Sequence, residues 1–254
     1  METRYARNRI YITEEEQEVI RNFPILLAGV GIGSVIAECA LRFGFENITI
    51  VDGDQVEKSN LNRQNYTEED CGNNKVDALA KRLLSINKDA NIKCFDFFLT
   101  ADNIEEHIDG HKVAINALDF SSPVPLVFDT ICQKQNIPIL HPYNIGWAGL
   151  VTIINEDGLP LNSISKPDED FNELNVVKYA SGYLEFWGNP QKWIDGVIEK
   201  YLGEKEDLPP PQLSIACWSV AAMCTHLLFN IATGKKFKKF PKFYLSKVID
   251  DDFN

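Results

Sequence analysis

No C-x-x-C pair occurs in the 254 residues; Cys39, Cys71, Cys94, Cys132, Cys217 and Cys224 are scattered singly. A zinc ribbon therefore has no ligand set, and no structural zinc is expected. Singly placed cysteines in apolar surroundings read as small buried hydrophobes. The start, Met1-Glu2-Thr3-Arg4, lacks the apolar core of a leader. No apolar run reads as long enough to span a membrane, so a reduced, cytoplasmic setting is expected. Positive charge is also in deficit: 25 Lys and Arg face 37 Asp and Glu, a formal net charge of -12. That balance argues against non-specific nucleic-acid or membrane-surface binding, and neither partner is expected. Internal repeats and low-complexity linkers are absent as well. A chain of this length with 44% hydrophobic residues can build one sizeable core.

Strand and helix signals alternate through the first 154 residues, the pattern of a parallel sheet covered on both faces. A charged arm, 1–22, carries a helix start at Thr13, whose hydroxyl precedes Glu14-Glu15-Glu16 as an N-cap does. Strands are expected at Pro24–Ala28, Asn47–Val51, Ile92–Phe98, Val113–Ile115 and Ile137–Leu140. Helices are expected at Ser34–Phe43, Lys75–Ile86, from Thr100-Ala101-Asp102, and at Pro125–Gln135. Ala148–Ile154 reads as an antiparallel edge. Residues 155–212, rich in Pro and Trp, read as an excursion over the surface with one helix near Gln191–Tyr201. A closing apolar helix, Leu213–Ala232, and a tail to 254 complete one domain. The fold class is α/β: a Rossmann-like, mostly parallel sheet with helices on both faces, an antiparallel edge and a crossover excursion. The runs Asp168-Glu169-Asp170, Lys235–Lys239 and Asp250–Asp252 read as solvated.

The chemistry begins at Gly29-Val30-Gly31-Ile32-Gly33-Ser34, entered from Ile25-Leu26-Leu27-Ala28. A glycine turn between strand and helix lets backbone N–H groups approach phosphate oxygens at the positive helix end. The spacing, G-x-G-x-G, is one residue tighter than the dinucleotide fingerprint, and such turns also serve shape alone. Asp52 ends the second strand, 19 positions after Gly33, where an acid bridges ribose hydroxyls. Asp54, Asn60, Arg63 and Gln64 follow in a polar stretch. Arg63 offers a planar fork and Lys75 a point charge, a pair suited to a triphosphate. Asp119 falls at the carboxyl edge of the sheet, where one carboxylate can recruit magnesium or, alternatively, cap the next helix.

These residues resemble the ThiF/MoeB/HesA group and the adenylation domains of ubiquitin-activating enzymes. The resemblance rests on Arg4-Tyr5-Ala6-Arg7-Asn8, Val51-Asp52-Gly53-Asp54, Ser59-Asn60-Leu61-Asn62-Arg63-Gln64, Gly72-Asn73-Asn74-Lys75 and Asn87-Lys88-Asp89. It covers 4–154 and returns at 213–234. It implies ATP-dependent adenylation of a C-terminal carboxylate, typically the Gly-Gly tail of a ubiquitin-like or sulfur-carrier protein, or a peptide. Carried over, Asp52 binds the ribose, and Gly29, Gly31, Gly33 and Asp54 belong to the nucleotide seat. Asn60, Arg63 and Gln64 contact the nucleotide, Lys75 the reacting phosphate, and Asp119 the magnesium. Arg7 would reach the ATP of a second copy, since relatives form homodimers.

The chain departs from the family pattern in three places. Ala28 and Val30 stand where the family has a glycine and a third loop residue. No arginine follows Asp119 within Phe120-Ser121-Ser122-Pro123-Val124, and the excursion holds no cysteine. Cys217 and Cys224 sit in the apolar closing helix, so an enzyme-bound thioester is not expected. A degenerate binding or scaffold subunit is the alternative reading. A further one is an NAD-dependent oxidoreductase, which gives Arg63 and Lys75 nothing to do. Trp147, Trp187 and Trp193 are candidates for the acceptor surface or for core packing.

Overall fold

The computed structural model describes residues 3–166, 171–206 and 208–249. The acidic runs at 168–170 and 250–252 lie outside the described residues. In chain order the elements are α1 (Glu14–Asn22), β1 (Ile25–Ala28), α2 (Ile32–Phe43), β2 (Asn47–Val51), α3 (Lys75–Ile86) and β3 (Asn91–Phe95). Next come α4 (Ile104–Ile108), β4 (Val113–Asn116), α5 (Val124–Lys134), β5 (Ile139–Asn144) and β6 (Ala148–Ile154). Last are α6 (Glu173–Phe186), α7 (Lys192–Leu202), α8 (Ser214–Ala232) and β7 (Phe243–Lys247).

The sheet has seven strands in the order β3-β2-β1-β4-β5-β6-β7. The first five pair in parallel, whereas β6 and β7 pair antiparallel. Because side chains alternate along a strand, the apolar runs feed two cores. Ile25 and Leu27 face one core with Ile48, Ile50, Val113, Ile115 and helices α2, α3 and α8. Leu26 and Ala28 face the other with Val51, Ala114, Ile139, Phe128 of α5, and the inner faces of α6 and α7. The chain leaves β1 for β2 on one side and pairs β4 with β1 on the other. Ligands sit at such a switch point, beyond the carboxyl strand ends.

Local signals explain the well-placed elements. Thr13 caps α1 through a complete capping box, its hydroxyl accepting from Glu16 N and the Glu16 carboxylate from Thr13 N. Glu38, buried in α2, ties that helix to α3. Burial alone would raise its carboxyl, but Arg82, Arg42 and the Asn65 amide outweigh this and hold it below the usual range.

Several expectations need correction. Ala148–Ile154 is antiparallel but internal; β7 forms the edge. The excursion holds two helices, α6 as well as α7. The strand expected over Ile92–Phe98 ends at Phe95, since Asp96 turns away to accept from the Asn74 amide. The helix expected from Thr100 begins only at Ile104, because Asn103 accepts from Thr100 N and closes a turn first. The strand expected at Ile137–Leu140 runs Ile139–Asn144, carried on by its antiparallel pairing with β6. The lysines of the 235–239 run are exposed as expected, and two of them form surface ion pairs: Lys235 with Glu16 at 2.7 Å and Lys239 with Asp157 at 3.3 Å. Finally, α8, with 19 residues and a mean hydropathy of 1.6, is long and apolar enough to cross a membrane. Here Cys217, Val220, Ala221, Cys224 and Leu228 of α8 pack instead into the core against the sheet.

Candidate active site

The glycine turn is shaped by what lies beneath it. Gly29 has φ +87°, and a Cβ there would stand 2.4 Å from the Ala117 carbonyl oxygen. Its N–H donates to Val51 O, and Ala117 N donates to Ala28 O, so the turn is pinned to both neighbouring strands. The two departures from the family loop, Ala28 and Val30, are both fully buried. Gly29 and Gly31 instead line the cavity above. The substitutions therefore fall on the core side, and the ligand side keeps its bare backbone. Gly33 sits in the first turn of α2, outside the cavity lining.

Asp52 follows β2 directly. Its two oxygens accept from Val30 N at 2.7 Å and Asp54 N at 2.8 Å. Burial raises the Asp52 carboxyl above its ordinary range, partly offset by the Val30 N–H and the Lys75 charge. Lys75 opens α3, is 6% exposed, and pairs with Asp54 at 2.8 Å. Its backbone N–H donates to Asp54 O, and Val56 N to Asn73 O, which staples the two segments together. Tyr66 closes the arrangement from below: its hydroxyl donates to Val30 O at 2.9 Å and reaches Lys75 O at 3.3 Å.

Asn60 accepts from Glu57 N and orders the turn that carries Arg63. The Arg63 Nε donates to the Gln212 side chain at 2.6 Å, and Nη1 donates to Ser59 O and Asn62 Oδ1, both at 2.8 Å. No described contact takes Nη2, which leaves that corner of the fork for a ligand. Gln64 lines the cavity, and its buried Oε1 lacks a hydrogen-bond partner. Asp119 lies three residues beyond β4, exposed, with Oδ1 accepting from Ser121 N at 2.8 Å. It closes a turn, while α5 starts only at Val124 after Pro123.

The cavity they share measures about 930 Å³. It is lined by Gly29, Gly31, Asp52, Asp54, Asn60, Arg63, Gln64, Lys75 and Asp119. Nine of the expected residues are thus brought together across the switch point. Arg7 is not among them: it is exposed, in the 3-10 segment Thr3–Asn8. The sequence reading missed Gln212, Glu173, Tyr143 and Asn116, all of which also line the cavity. Glu173 accepts from Phe120 N at 3.3 Å. Burial, with the Asp119 charge adding to it, pushes its carboxyl upward. Cys217 and Cys224 are fully buried with thiols raised by desolvation, and no described cysteine lines the cavity.

The residues present fit a nucleoside triphosphate: two cations, bare backbone, a carboxylate at the strand end and the unpartnered Gln64 Oε1. Magnesium takes one or two carboxylates plus phosphate oxygens. No group of three or more His, Cys, Asp or Glu among the described residues could hold a metal by itself. Asp119, with Glu173 near it, is the carboxylate that would do so together with phosphate oxygens.

The Gln212 bond has a testable consequence. A hydrogen bond to a charged group is worth about 1.5–3 kcal/mol, and this one orients the Arg63 fork. We expect Gln212→Ala to raise KM for ATP about tenfold, with a smaller change in kcat, in steady-state assays. An unchanged KM would show that Gln212 does not position Arg63.

The profile described as ThiF family matches residues 5–249. The sulfur carrier protein ThiS adenylyltransferase of Bacillus subtilis (strain 168) is 31% identical over 166 residues, 63% of this chain and 49% of that protein. The tRNA threonylcarbamoyladenosine dehydratase of Escherichia coli (strain K12) is 30% identical over 183 residues, 67% of this chain and 66% of that protein. The chain thus spans about half to two thirds of these relatives' lengths. Among solved structures, E. coli MccB with AMPCPP and MccA superposes with a TM-score of 0.70 at 15% identity. That match covers 99% of this chain and 73% of MccB and is a likeness of fold. With its profile match running nearly end to end over this cavity, the chain belongs to the ThiF family.

Proposed function

We propose that this chain adenylates a C-terminal carboxylate with ATP, releasing pyrophosphate. The observation that carries the reading is the meeting of Asp52, Asn60, Arg63, Lys75 and Asp119 in one cavity at the switch point. The resemblance to an adenylyltransferase of a sulfur carrier protein supports it. In the step, a carboxylate oxygen of the substrate bonds to the α-phosphorus. The bond from that phosphorus to the bridging oxygen breaks, and pyrophosphate leaves with the electron pair. The carboxylate is already ionised, so no general base is needed.

What the chain must supply is relief of charge repulsion, fixed in place before the reaction. Asp52 holds the ribose, with its carboxylate oriented by the Val30 and Asp54 N–H groups. Lys75, held by Asp54, and Arg63, held by Gln212, bring positive charge to the triphosphate. Magnesium, held by Asp119, would add further charge neutralisation on the phosphate oxygens. With the described cysteines buried or outside the cavity, the acyl-adenylate is the product, open to an external nucleophile. In a homodimer Arg7 would serve the second copy's site.

A binding-only role drew support from the altered glycine turn. The inward placement of Ala28 and Val30 removes much of that support. Product analysis separates the readings. With a competent carboxylate substrate, phosphorus NMR should find AMP and pyrophosphate. Asp119→Asn should raise the magnesium concentration for half-maximal rate at least about tenfold. Release of ADP and phosphate, or a magnesium midpoint unmoved by the substitution, would contradict this assignment.

A further inference from the structure

The cavity has two halves of different character. Beyond β3, Phe97, Phe98 and Leu99 stand over the end of β2; a Cβ on Gly53 would meet Phe98 at 2.8 Å. That half, with Asp52 and the cations, belongs to the nucleotide. The other half lies past Asp119, on the β4 and β5 side, where α6 is anchored by the Phe120 N–H bond to Glu173. Its wall is one face of α7, Trp193, Ile194, Val197, Ile198 and Tyr201, joined by Val177 of α6. The spacing i, i+1, i+4, i+5, i+8 makes this a continuous apolar stripe. Parts of it remain open: Val197 is 36% exposed.

Resting on the adenylation reading, the geometry points to a substrate unlike a bare Gly-Gly tail: a peptide segment with bulky apolar side chains at its last two residues, seated on the α6–α7 wall. Ile194 is buried, and Trp193, Ile198 and Val177 pack partly against the core. A Gly-Gly end, presenting only backbone, would leave the open part of the wall around Val197 in water. About 930 Å³ lies at the upper end of the ~300–1,000 Å³ typical of ligand sites, with room for a second ligand beside a nucleotide. Charge points the same way. Among the described residues lining the cavity, the cations are Arg63 and Lys75, both in the nucleotide half. The acceptor half offers the carboxyls of Asp119 and Glu173 and no described lining lysine or arginine, so an acidic side chain would find no partner there.

The test uses the full chain and acetylated decapeptides identical except at the last two positions: Leu-Phe, Gly-Gly or Asp-Asp. Calorimetry with a non-hydrolysable ATP analogue and magnesium reads binding without chemistry, and pyrophosphate exchange reads adenylation. Leu-Phe should bind at least about tenfold more tightly than Gly-Gly, and Asp-Asp least. Val197→Asp should remove that preference, while Val197→Met should keep it; both should retain affinity for the ATP analogue. Exchange that proceeds equally well with Gly-Gly would overturn the apolar subsite and leave adenylation standing. Selective binding of Leu-Phe without exchange would support the subsite and count against adenylation. Binding of none of the peptides, with the nucleotide bound, would overturn the subsite.

Discussion

Lys75→Ala should lower kcat/KM for substrate-dependent pyrophosphate exchange about 10²- to 10³-fold, the usual cost of losing one preorganised group at a developing charge. Lys75 is 6% exposed, its ammonium fixed by Asp54 at 2.8 Å and its backbone by Asp54 O. A cation placed so firmly reorganises little when the phosphate charge shifts. Folding should survive, because the abandoned Asp54 carboxylate is half-exposed and water can solvate it. The melting temperature separates a lost catalytic group from a lost fold. Lys75→Arg should recover only part of the rate, since a planar fork cannot replace a point charge in the same confined position. Full activity of Lys75→Ala would remove the lysine from the reaction.

The largest stability effect should come from Gly29→Ala. The backbone there is left-handed at φ +87°, and the new Cβ would press on the Ala117 carbonyl at 2.4 Å. Left-handed strain costs about 1–3 kcal/mol and overpacking a similar amount, so a loss of about 3 kcal/mol is expected. For a chain of this size that corresponds to a melting temperature lower by about 6–12 °C, read by calorimetry. ATP affinity should fall as well, because β1 and β4 would have to part beneath the phosphate seat. Ala28→Gly, on the buried side of the same turn, should leave ATP affinity near its original value.

The half of the cavity around Asp52 and Lys75 was legible because its residues lie close to their own motifs. Asn47–Val51 and Lys75–Ile86 have the bounds expected from apolar spacing, and Asp52 and Lys75 follow from those ends. The other half was legible only in part: Trp147 and Trp193 line it as expected and Trp187 does not, while Gln212 and Glu173 gave no signal. Arg63 is oriented by Gln212, 149 positions away, and nothing near Pro209-Pro210-Pro211 announces that bond. Helix α6 was missed because Ser181 and Gly182 interrupt its helical preference, and its burial comes from tertiary packing with α7. Strand β7 follows a basic run that reads as solvent-facing, yet Phe240 and Phe243 on either side of Pro241 are buried. Glu173 becomes informative only once α6 is placed against Phe120. In each case the signal lies in a long-range contact, which periodicity does not carry.

The most direct test of the central claim is exchange of labelled pyrophosphate into ATP, with and without a peptide carboxylate substrate. The account predicts label in ATP that requires the substrate and magnesium and collapses in Lys75→Ala and Asp119→Asn. Absence of ATP binding, or cleavage of ATP to ADP in place of exchange, would contradict it.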